Sequence, residues 1–166
     1  MQLASDVDST AVVGVDVGNS PADAHLMPPM LQQVQARCGQ LPEEYLVDAG
    51  FIDFDSLERA DALDVLVYGP LPNSGRPPRG RPKPDPSLPR PDDSVAVAHF
   101  RLRMATPQAK ALYKRRSEVA ERTNAEVKDK RGLSHFLVRG LGKVKCVALW
   151  TALAYNVALL HSHQLI

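Results

Sequence analysis

Nine of the 14 prolines fall between Gly69 and Asp93, and this clustering constrains the fold more than any other feature. Proline fixes φ and lacks an N–H, so such a run forms neither a helix nor a central strand. The expectation is an extended, mobile, basic linker over residues 69–98 between two ordered parts, 1–68 and 99–166. It carries Arg76, Arg79, Arg81, Lys83 and Arg90, which could touch a phosphate backbone. An insertion that simply stays solvated is the plainer account.

The remainder is composed like one globular domain with a core: 166 residues, 44% hydrophobic and 23% charged. Cys38 and Cys146 are too few for a disulfide framework or a four-cysteine zinc site, which fits a reducing cytosol and a cytoplasmic protein. No stretch reads as a signal peptide, and the apolar run Cys146 to Leu160 is shorter than the roughly 20 residues that span a bilayer. Secreted, collagenous and membrane-spanning classes are not expected.

A net charge of +1 hides an asymmetry. Residues 1–100 hold 7 Lys/Arg against 15 Asp/Glu, and residues 101–166 hold 13 against 4. A basic C-terminal third suggests a polyanion as partner; a solvated helix surface paired to the acidic part would look the same.

Local patterns supply the elements. Met1 to Val17 reads as a β-hairpin, with Asp6-Val-Asp-Ser9 at its turn and a Val-rich second strand. The spacing of Leu26, Met30, Val34 and Cys38 predicts a helix over 24–38, provided that Pro28 and Pro29 lie in its first turn and Gly39 ends it. Glu44 to Val47 reads as a buried strand, Asp55-Ser-Leu-Glu58 as a capping box opening a short helix, and Asp64 to Tyr68 as another strand. Beyond the linker a helix is expected over 107–131, with Pro107 in its first turn. A last helix over 142–161, apolar nearly all round, is expected to be buried. The order belongs to a mixed α/β layer.

Two places could carry chemistry. Glu121, Asn124 and Lys128, at i, i+3 and i+7, share one face of an α-helix, and Lys114 and Ser117 extend it. A carboxylate among cations suits a metal-assisted attack on a phosphodiester; an ordinary surface stripe has the same spacing. Asp48 stands where a strand ends and an Ala-Gly turn begins, the end of a strand at which ligand sites gather in α/β sheets. A turn residue bonded to nearby N–H groups would occupy the same position. His25, His99, His135, His161 and His163 show no metal-ligand spacing.

From Thr106 to Lys128 the text resembles the C-terminal signature of bacterial insertion-sequence transposases with a DDE catalytic domain. Tyr113, Arg116, Glu121 and Lys128 match that signature's Tyr, Arg, Glu and Lys. Phe136-Leu-Val-Arg-Gly-Leu141 with the apolar stretch after it continues the likeness, as do Val13-Gly-Val-Asp-Val17 and Leu46-Val-Asp-Ala-Gly-Phe51 upstream.

The resemblance implies a ribonuclease-H-like mixed sheet with flanking helices, in which three carboxylates hold two magnesium ions for cleavage and transfer of DNA strands. By position, Asp48 is the second acid and Glu121 the third. Tyr113, Arg116 and Lys128 contact phosphates of double-stranded DNA at transposon ends, giving salt-dependent affinity without sequence readout. Homo-oligomers, or association with a full-length transposase, are the expected protein partners. In two respects the chain departs from the family pattern. Four residues, not the widely shared three, separate Arg116 from Glu121, which turns Arg116 about 100° around the helix. The first acid, with the first strand, has no counterpart: Asp6, Asp8 and Asp16 lack the right context. The expectation is an impaired, N-terminally truncated fragment that binds magnesium poorly.

Two other readings stay open. One is a DNA-binding or regulatory transposase remnant without catalysis. The other takes Val13-Gly-Val-Asp-Val-Gly-Asn-Ser20 as the phosphate loop of actin-like ATPases and sugar kinases, which the chain resembles only over that short run.

Overall fold

A computed structural model describes residues 1–19, 25–72, 85–130, 133 and 135–164, with the backbone alone for Lys128, Asp129, His163 and Gln164. Arg76, Arg79, Arg81 and Lys83, Gly132 as a helix stop, and Ser20 of the phosphate-loop reading lie outside the described residues. In chain order come strands β1 (Gln2–Ser5) and β2 (Val12–Asp16), helix α1 (Met27–Cys38), strand β3 (Glu44–Leu46) and a 3-10 turn (Ala49–Phe51). Helix α2 (Phe54–Asp61), strand β4 (Leu66–Tyr68) and helices α3 (Val95–Ala105) and α4 (Pro107–Asn124) follow. A π-helical continuation (Ala125–Lys130) and helix α5 (Leu141–Gln164) complete the chain. Helices and strands alternate through the first part, so the class is α/β.

The chain folds as two compact units, one of Met1–Pro21, Gln32–Gln40 and Arg115–Ile166, the other of Ala22–Leu31 and Leu41–Lys114. In the first unit, β1 and β2 pair antiparallel from Gln2↔Asp16 to Ser5↔Val12, with a register shift between Ala4 and Ser5. The Asp6 carboxylate closes the turn by accepting from the Ser9 N–H at 2.7 Å and the Ser9 hydroxyl at 2.6 Å. Val12 and Val15 on the hairpin pack with Ala148, Ala152 and Tyr155 of α5 and with Val127.

The outer edge of β2 is met by side chains. The Asn156 amide accepts from the Val12 N–H and donates to the Val12 carbonyl, both at 2.8 Å. The Val15 N–H donates to Gln33 at 2.6 Å, and Arg37 donates to the Val13 carbonyl at 3.1 Å. One continuous mixed sheet was the expectation. Among the described residues the strands form two separate two-stranded sheets instead, and β2 carries amide and guanidinium groups where a further strand would pair.

In the second unit, β3 and β4 run parallel, Glu44↔Leu66 to Leu46↔Tyr68, joined through α2. Met27, Leu31, Val47, Leu57, Val67 and Phe100 centre its core. Pro28 and Pro29 do lie in the first turn of α1, and Gly39 at φ +77° ends it. The buried stripe is Met27, Met30, Leu31 and Val34; Leu26 precedes the helix and Cys38 is exposed. The cap of α2 is Asp53, whose carboxylate accepts from the Ser56 N–H at 2.9 Å, and not Asp55. Asp64 stands outside β4 because it takes φ +56° just after α2.

Two further corrections concern helices. Residues 95–98, read as linker, open α3, because Ser94 caps it from the Val97 N–H. The alternation Val95-Ala-Val-Ala98 conceals this helix, and its Arg101 ties back to residues 85–93 by bonds to Asp93 at 2.7 Å and the Pro86 carbonyl at 2.8 Å. Helix α5 is apolar all round but is not buried all round: Trp150 is 67% exposed. A two-stranded hairpin covers only one side of a helix. At 22 residues, Leu141–Ser162 is also long and apolar enough to cross a membrane by length and composition, because the helix extends beyond the run Cys146 to Leu160.

Candidate catalytic carboxylates and nucleic-acid interface

Asp48 belongs to the second unit and is exposed at the carboxyl end of the parallel pair β3/β4. The Val47 N–H donates to the Tyr68 carbonyl at 2.9 Å, so the pairing runs up to the residue before it. The Asp48 backbone carbonyl accepts from the Phe51 N–H at 3.1 Å and starts the 3-10 turn, but its side chain makes no capping bond there. The strand end is packed tightly from below: a Cβ on Gly69 would stand 2.5 Å from Ile52 Cδ1 and 3.1 Å from the Val47 carbonyl oxygen.

The surroundings of that strand pair are firmly bonded. Tyr68 donates its hydroxyl to Glu44 at 3.2 Å, with the Arg103 guanidinium over its ring at 5.5 Å. Burial, with the Glu44 charge beside it, raises the Tyr68 hydroxyl above its ordinary pKa, and burial alone pushes Tyr45 up to about 12. Both phenols therefore stay protonated donors at neutral pH.

Glu121 belongs to the first unit and is exposed on α4. The same helix exposes Lys110, Lys114, Arg115 and Arg122, and holds Arg116 half-buried. Tyr113, also half-buried, packs against the core of the second unit. Thr123 and Val127, four residues apart, are buried in the first unit. From Ala125 the backbone is π-helical. Bonds from i to i+5 give each residue less rotation than the about 100° of an α-helix, so the backbone at Lys128 is turned out of the α-helical line with Glu121. The shared face of Glu121 and Asn124 ends where the π segment begins.

The three aspartates near the N-terminus are each engaged within the first unit. Asp6 closes the hairpin turn, and the Ser9 bonds hold its carboxyl below the ordinary range. Asp8 pairs with Arg115 at 2.5 Å. Asp16 accepts from Lys145 at 2.9 Å; burial raises its pKa, but the ammonium bond and charge outweigh that and leave it lowered. Asp16 is also the residue that a kinase-like loop would present to magnesium, and here it holds a lysine.

His25, without a ligand partner at any familiar spacing, meets two carboxylates in space. Its Nδ1 is 3.3 Å from Asp53 and 3.8 Å from Asp55, within the second unit. Among the described residues these three bring ligand atoms within 4.8 Å of one another. Separations of 28 and 30 residues leave no local signal for such a cluster. Its groups already serve the fold: Asp53 caps α2 and accepts the His25 N–H at 3.0 Å, and Asp55 pairs with Arg59 at 3.0 Å.

Residues 90–161 fit the family model described as a transposase DDE domain. No curated protein and no solved structure matches the chain.

Proposed function

Residues 90–161 fit the model of a transposase DDE domain, and from that premise we propose that the chain is a DDE-type transposase that acts on DNA by phosphodiester chemistry. The match carries this reading, and the basic exposed face of α4 around Glu121 lies inside it. Asp48 and Glu121 are proposed as two of the metal-holding acids. Both are exposed, and carboxylate oxygens are the donors that magnesium prefers. Bound there, magnesium would activate the attacking water or 3′-hydroxyl oxygen and stabilise the leaving one.

The chain's own cations do the rest. Arg116 and Lys128 would neutralise phosphates beside the cut, with Lys114 and Arg122 along the same helix adding salt-dependent affinity. Tyr113 packs into the core and so positions the start of α4, whatever it also contributes toward DNA.

One observation favours a weaker activity for this polypeptide alone. Asp6, Asp8 and Asp16 are tied to Ser9, Arg115 and Lys145, which leaves no evident third acid among them. The proposal is therefore an impaired enzyme that binds duplex DNA but cuts it poorly; a regulatory DNA-binding remnant is its limiting case. A magnesium-dependent nicking assay on purified protein tests this. Slow nicking, lost in Asp48→Ala and in Glu121→Ala, is expected; robust nicking indifferent to both would overturn the assignment.

A further inference from the structure

The solvent face of α5 carries a feature that neither the proposed chemistry nor the hairpin uses. Cys146, Trp150, Leu153, Val157 and Leu160 alternate at spacings of four and three, the seam of a helix that packs along another helix. All five are exposed, and Trp150, Leu153, Val157 and Leu160 are 67, 52, 58 and 59% exposed. The opposite face, Ala148, Ala152 and Tyr155, is already packed on the hairpin. Leu149, Ala154 and Ala158 widen the exposed strip. No charged residue falls between Lys145 and His161.

We propose that this seam is a self-association surface on which α5 pairs antiparallel with α5 of a second copy of the chain. Area supports a second copy as the occupant. The exposed parts of Leu149, Trp150, Leu153, Val157 and Leu160 amount to on the order of 600 Å² of apolar surface, against roughly 800 Å² per partner in a standard interface. That is the upper end of what monomers leave uncovered. The helix is held in place by the Asn156 and Tyr155 bonds to the hairpin, so little ordering opposes the pairing.

Charge sets the direction. α5 has Lys143 and Lys145 in its first turns and no acidic residue anywhere. A parallel pair would bring the two Lys143 ammonium groups and two positive helix ends together, Lys145 being held by Asp16 within each copy. An antiparallel pair sets each lysine end against the partner's negative helix end. In that arrangement Trp150 packs across from Leu160 of the second copy, and Leu153 across from Val157.

Sedimentation equilibrium from micromolar to near-millimolar protein is the test, with Leu153→Glu and Val157→Glu as variants. Both sites are exposed, so circular dichroism should stay that of the parent while association weakens at least tenfold. Native Cys146 reports direction, in a Cys38→Ser background under mild oxidant. It would face its own copy in a parallel pair and disulfide-link readily, but faces the far end in an antiparallel one. A dimer dissociated by either variant, without Cys146 cross-linking, is the expected result. A parent monomeric throughout, a dimer indifferent to both variants, or rapid Cys146 cross-linking would each overturn the proposal. So would a parent that stays monomeric in buffer and instead pellets with phosphatidylcholine vesicles, which would assign the face to lipid.

Discussion

Replacing Asp93 by alanine strands the Arg101 guanidinium, which has no exposure to water and, among the described residues, keeps only the Pro86 carbonyl as an acceptor. Removing one partner of a buried pair typically costs about 3–5 kcal/mol, and urea unfolding of Asp93→Ala should show a loss of that size. The pair has a pH signature. The Arg101 bond holds the Asp93 carboxyl below its ordinary value, despite the opposing effect of burial. A depressed carboxylate contributes its full stability above the unfolded value of about 3.9, and that contribution disappears as pH falls through the lower folded value. The stability gap between parent and Asp93→Ala should therefore be full near neutral pH and narrow as the pH falls through the folded value, as read by urea unfolding at each pH. Asn156 makes a second test at this scale. In Asn156→Ala the Val12 N–H and carbonyl lose both bonds, a loss of about 1–3 kcal/mol on unfolding.

At the scale of elements, the parallel pair β3/β4 depends on a close approach at its carboxyl end. Gly69→Ala puts a methyl group into Ile52 and the Val47 carbonyl, and overpacking of this kind costs about 1–3 kcal/mol. The prediction is a lower thermal midpoint with altered amide shifts at Val47 and Asp48, because the displaced atoms adjoin Asp48 directly. Helix α4 carries a different test. Arg116→Ala should lower the slope of log affinity for duplex DNA against log salt by about one, uniformly across DNA sequences; an unchanged slope would remove Arg116 from the interface. Elements governed by local chemistry were legible in the sequence: the turn of Asp6 and Ser9, the prolines opening α1, the strand before Asp48. Those governed by distant partners were not. Nothing near Val95 announces that Asp93 and Arg101 will anchor α3, and nothing near Asn156 announces a bond to Val12. The π segment after Asn124 escaped because i, i+3 and i+7 spacing presupposes the α-helix it interrupts.

For the whole molecule, the family match and the carboxylates speak to different stretches. Residues 90–161 contain Glu121 and its cations, whereas Asp48 lies upstream, in the other compact unit. What was legible here came from the Tyr, Arg, Glu and Lys text around α4. The account stands on the proposal that Asp48 and Glu121 are both metal-holding acids. Manganese, a magnesium substitute visible by electron paramagnetic resonance, tests that most directly on the intact chain. Weak binding that disappears in Asp48→Ala and equally in Glu121→Ala, but survives His25→Ala, is the result predicted. Binding that ignores either carboxylate, or that follows His25 and Asp53 instead, would contradict it.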